Sequence, residues 1–172
     1  MKRSELEHIL RAAATIAGDF DVLVLGSQSI LGSFTEDELP EKAHASIEAD
    51  VTFFDDDEND KSDLVDMHLG EDSQFHATFG YYAQGVNVEV ATLPVGWQGR
   101  VIVLNSDRTN GASGHCLEPH DLVVAKLVAG RMKDLEFGLH GPRCSSSRSL
   151  QVGSPGGSSA GCRSTDRDLC PG

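Results

Sequence analysis

Two stretches decide the fold: Val22-Leu23-Val24-Leu25-Gly26-Ser27, and Ser46-Ile47-Glu48-Ala49-Asp50-Val51-Thr52-Phe53-Phe54. The first opens as a short continuous apolar run, the pattern of a strand buried on both faces, and Gly26-Ser27 stops it. In the second, Ile47, Ala49, Val51 and Phe53 alternate with Glu48, Asp50, Thr52 and Phe54. Successive side chains of a strand point to opposite faces, so one face is apolar and the two carboxylates project together from the other.

Outward from these strands the pattern alternates. Upstream, Leu6, Ile9, Leu10, Ala13, Ala14 and Ala17 fall at helical spacing. Ser4 with Glu7 predicts a capping box, and Gly18 a stop. A short helix is expected over 28–34, a loop or frayed helix over 35–45 and a helix over 62–69. Strands are expected over 79–83 and 86–91, joined at Gln84-Gly85, with another over 100–104. Residues 105–114 are rich in turn formers. Pro119 and the acids beside it then mark a helix start that carries Leu122, Val123, Ala125, Lys126, Leu127, Val128 and Ala129. The expected architecture is α+β, close to α/β: a small mixed sheet flanked by helices.

Residues i and i+2 of a strand stand roughly 7 Å apart on one face. Glu48 and Asp50 are thus spaced to share one or two Mg²⁺ ions. On the strand expected over 86–91, Glu89 points away from the apolar side and supplies a third acid. Mg²⁺ takes hard oxygen ligands and leaves positions for substrate phosphates. Glycine at a strand end admits a ligand close to the backbone, and the amides and hydroxyl of Gly26-Ser27 suit a triphosphate. Lys126 suits the same ligand as a point charge, or snorkels from an amphipathic helix.

This ordered set resembles the polymerase-β-type nucleotidyltransferase superfamily: an apolar strand, Gly-Ser, an acid-x-acid strand at Glu48-Ala49-Asp50, then a third acid at Glu89. It is similar in particular to small bacterial nucleotidyltransferase-like proteins related to AbiEii-type abortive-infection toxins. The residues that carry that likeness are Glu118-Pro119-His120-Asp121-Leu122, Lys126, Arg131 and Lys133-Asp134. The resemblance implies a nucleotidyltransferase fold and transfer of a nucleoside monophosphate from an NTP to an acceptor hydroxyl, through Mg²⁺ held by Glu48, Asp50 and Glu89. It also implies nucleotide contacts from Gly26, Ser27, Lys126 and Asp121. The acceptor, whether protein, small molecule or RNA, is left open, as is a role as an inactive module beside a cognate antitoxin or toxin. An acidic α/β binding domain is a further alternative. Glu48 stands where Asp is more usual in the family, which shifts the metal by about one bond.

The chain has 172 residues and a net charge of -13. That balance repels nucleic-acid backbones and anionic lipid. No apolar run approaches the ~20 residues of a membrane span, so a cytoplasmic protein without membrane contact is expected. The acidic run Asp55 to Asp60 lacks the glycine of a calcium loop at its sixth position. His115, Cys116 and His120 lack a fourth metal ligand, and Trp97 between Gly96 and Gly99 is expected to pack at a turn.

The domain is expected over 1–137. In residues 138–172, 18 of 35 are Gly, Ser or Pro, and Arg occurs without Lys. Such a segment buries too little apolar surface to offset chain entropy, so disorder is expected. Its composition is also that of an out-of-frame GC-rich gene. Translating the other frames from the Phe137 codon tests for a frameshift.

Overall fold

The computed structural model describes residues 1–129. The tail expected over 138–172, the boundary at Phe137, and Arg131 with Lys133-Asp134 lie outside the described residues.

Helix α1 spans Arg3–Ala17 and turns Leu6, Ile9, Leu10, Ala13 and Ala14 into the core. It starts one residue before the expected cap. Glu5, not the Ser4/Glu7 pair, closes its first turn by accepting the backbone N–H of Lys2 at 2.7 Å. Strands β1 (Asp21–Val24) and β2 (Glu48–Phe53) fall where the two deciding stretches place them. Between them lie three short 3-10 helices, the first at Ser27–Gly32.

Five strands form one mixed sheet in the order β3-β2-β1-β5-β4, completed by β3 (Tyr82–Gly85), β4 (Ile102–Leu104) and β5 (Ser113–Cys116). β1 pairs antiparallel with β2 and parallel with β5. β2 pairs parallel with β3, and β4 pairs antiparallel with β5. Helices α2 (Asp60–Leu69), α3 (Gln74–Phe79) and α4 (Pro119–Ala129) complete the mixed α+β plan. No helix of the described residues is long and apolar enough to cross a membrane.

The structure departs from the sequence expectation in its strands as well. Residues 74–79 form α3, capped by the Ser73 hydroxyl accepting the His76 N–H, so the strand expected over 79–83 begins only at Tyr82. The strand expected over 86–91 is not formed. Val88–Val90 is a 3-10 turn in which the Asn87 side chain accepts the Glu89 N–H at 2.7 Å. An Asn that captures the backbone two residues on offers that segment an alternative to a sheet ladder, and here the local bond prevails over the valine alternation. Within the stretch read as turn-rich, Ser113 already belongs to β5, whose Gly and His residues carry no apolar alternation. β5 is a strand because it is flanked on both sides by partners. Its Gly114 lies so near α1 that a Cβ there would stand 2.5 Å from Leu10 Cδ1.

The acidic run has a structural task. The Asp56 carboxylate accepts the backbone N–H groups of Lys61 and Ser62 and the Ser62 hydroxyl, which fixes the start of α2. Lys61 in turn reaches back to Asp19 at 2.7 Å.

Candidate active site

β2 leaves the core with Ala49 and Val51 buried while Glu48 and Asp50 face a cavity of about 410 Å³. Leu25, at the end of β1, donates its backbone N–H to the Asp50 carbonyl at 2.9 Å, so the chain leaves β1 beside the acid strand. The chain turns at Gly26 with φ 61° and ψ −163°, a conformation open essentially to glycine alone. The same residue lies against the acid. A Cβ on Gly26 would stand 1.8 Å from Asp50 Oδ2. Glycine is required here twice over, once by the backbone and once by the carboxylate.

Gly26, Ser27, Glu48, Asp50 and Lys126 all line this one cavity. Lys126 arrives from α4, and its Nζ donates to Ser27 Oγ at 3.2 Å. The cavity's polar end therefore combines a hydroxyl, a cation and two carboxylates. Its other walls include the apolar residues Val86, Leu117, Leu122 and Ala125.

Glu89 and Asp121 stand elsewhere. Glu89 is exposed on the 3-10 turn, and neither residue is among those lining the cavity. Among the described residues no three of His, Cys, Asp and Glu come together as a metal-holding group. Asp121 is buried, with its carboxylate gripped by Arg100 through Nε to Oδ2 and Nη2 to Oδ1, both 2.9 Å. His115 bonds Asp21, Cys116 is buried, and His120 bonds Glu118. Trp97 packs partly buried against the core.

Several residues of the site were not read from the sequence. The parallel register sets Tyr82 beside Glu48 and Gln84 beside Asp50. Tyr82 donates its hydroxyl to Glu48 Oε2 at 3.3 Å. Burial first, then the negative charges of Glu48 and Glu71, push the Tyr82 phenol up to about 12. Gln84 and Ser46 line the cavity, and the Ser46 hydroxyl accepts the Glu48 N–H at 3.2 Å. Placing β3 correctly would have exposed Tyr82 and Gln84. Nothing local signals Arg100, whose role depends on an aspartate on another element.

Comparison with curated proteins and with solved structures gives no match. A family model does match, over residues 4–138, which takes in every described element from α1 to α4 apart from Arg3 at the start of α1. The chain belongs to the family described as nucleotidyltransferases of unknown function (DUF6036).

Proposed function

We propose that the chain transfers a nucleoside monophosphate from an NTP to an acceptor hydroxyl at this cavity, forming the new phosphoester as pyrophosphate and the hydroxyl proton leave, with Mg²⁺ as its metal. One observation carries the proposal: the acid-x-acid strand, the Gly26-Ser27 turn and Lys126 open on the same space. Two carboxylates with room for substrate oxygens are a donor set that fits Mg²⁺, which is commonly bound by one or two carboxylates plus phosphates. Glu48 and Asp50 would hold the ion, whose chemistry is to neutralise phosphate charge and activate a hydroxyl.

The protein's own groups do the positioning. Bare of a side chain, Gly26 lets the Asp50 carboxylate lie against the turn, and the Ser27 hydroxyl donates to phosphate oxygens while accepting from Lys126. Lys126 adds a point charge at the same end, and Tyr82 and Ser46 hold Glu48 in place. The aliphatic wall of Val86, Leu117, Leu122 and Ala125 keeps water from the nucleoside side. Rate then comes from alignment and charge complementarity. The acidic surface favours a protein or a cationic small molecule over a long RNA as acceptor.

Calorimetry with Mg²⁺ and each NTP, on wild type and Asp50→Ala, tests the reading. Metal-dependent binding lost in the variant is expected, and an inert wild type removes the proposal. The position of Glu89 outside the cavity favours a second reading: a module that binds nucleotide without turnover and acts in a toxin–antitoxin pair. Label transfer from an α-phosphate-labelled NTP separates the two, since the second reading allows binding and no transfer.

A further inference from the structure

We infer that Arg100 is a positioning residue for this site: by clamping Asp121 it sets the placement of α4, and so holds Lys126 against Ser27. The inference rests on the proposed reading of the cavity as a polyphosphate site. Helix α4 presents Leu122, Ala125, Lys126 and Ala129 to the cavity, positions i, i+3, i+4 and i+7 of one face. On its other side Val124, Leu127 and Val128 are exposed. Among the described residues, packing therefore bears on α4 from one side, chiefly from the 3-10 helix that follows Gly26.

A helix packed on one side needs a directional tie to fix its rotation. The Arg100–Asp121 pair supplies it. The two parallel bonds are each 2.9 Å, and the Asp121 carboxylate is only 9% exposed. Nη1 and Nη2 of Arg100 also donate to the Val95 carbonyl at 3.3 Å, tying the segment before β4 to the start of α4. A planar fork fixes both distance and orientation, whereas a lysine ammonium fixes distance alone. Lys126 follows Asp121 by five residues, about 7.5 Å along the helix axis. A rotation at Asp121 is thereby carried to Lys126 Nζ, which sits 3.2 Å from Ser27 Oγ. Arg100 is not among the cavity-lining residues, so it acts through α4 and not by touching a ligand.

The test uses the full chain with Mg²⁺ and inorganic tripolyphosphate, a probe independent of the base. Arg100→Lys keeps a cation beside Asp121 and loses the fork. It is expected to weaken binding by roughly 3- to 10-fold while the chain still unfolds in one cooperative transition above the assay temperature. Arg100→Ala is expected to lose more. In a Lys126→Ala background the effect of Arg100→Lys is expected to shrink to less than about 2-fold, because coupled residues are not additive. Wild-type affinity in Arg100→Lys, or an undiminished loss in the Lys126→Ala background, overturns the inference while leaving the proposed function standing. A wild-type chain that binds no tripolyphosphate overturns both.

Discussion

Gly26→Ala probes the junction on which the site depends. The added Cβ would lie 1.8 Å from Asp50 Oδ2 and 2.9 Å from Asp50 Cγ, with Asp50 Cβ next at 3.4 Å. Restoring ordinary contact requires the carboxylate oxygen to move by about 1.6 Å, the difference between 3.4 and 1.8 Å. Two penalties add. Holding a non-glycine residue in this backbone region costs about 1–3 kcal/mol, and forcing the overlap into a packed site costs ~1–3 kcal/mol more. The lower entropy of the unfolded alanine chain returns up to ~1 kcal/mol. In an Asp50→Ala background the atoms at 1.8 and 2.9 Å are gone, and only the backbone penalty remains. Urea denaturation followed by the fluorescence of the single tryptophan, Trp97, measures both. The expected coupling between the two substitutions is about 1–3 kcal/mol. With the carboxylate displaced by more than 1 Å, nucleotidyl transfer is expected to fall about 100-fold. An equal cost of Gly26→Ala in both backgrounds, or a variant as stable and as active as wild type, refutes this account of the junction.

Two further outcomes follow from the electrostatics. Glu48→Gln removes one of the charges that raise Tyr82, so its phenol is expected to titrate below about 12 yet above an ordinary tyrosine, because burial is the larger cause. An ultraviolet titration in a Tyr81→Phe background isolates it, and an unmoved Tyr82 would sink the assignment. For Asp56, burial raises the pKa, but the bonds from the Ser62 hydroxyl and the Lys61 and Ser62 amides outweigh it and hold the carboxyl below its usual range. A depressed folded pKa stabilises above the unfolded value of about 4 and is lost as pH falls through the folded one. Thermal transitions between pH 5 and 2 are therefore expected to fall more steeply for wild type than for Asp56→Asn, and parallel curves would refute the cap.

The sheet's centre was legible because one deciding stretch alternates strictly and the other is a short apolar run bounded by a turn signal. A continuous apolar run closed by Gly-Ser makes β1, and strict alternation makes β2. Gly26, Ser27, Glu48, Asp50 and Lys126 were singled out for the same reason, since element type and position fix which way they face, and the fold brings all five to one cavity. Glu89 was misplaced because its valine neighbours alternate like a strand, while the deciding contact is one local bond from the Asn87 side chain to the Glu89 N–H. Asp121, expected as a nucleotide contact, is instead found outside the cavity lining, and the sequence around it shows only a helix start. Its carboxylate is spent on Arg100, a residue from the 3-10 turn Trp97–Arg100 before β4.

Sequence alone determined the α+β class, the acid-x-acid strand, the glycine turn and the cationic helix, because periodicity and turn chemistry act over a few neighbouring residues. Tertiary structure decided that β5 is a strand, that Tyr82 and Gln84 rather than Glu89 flank the two acids, and that Asp121 ties α4 down. Each of these depends on strand register or on a charge pair between distant segments, and such contacts form only when separate elements pack together.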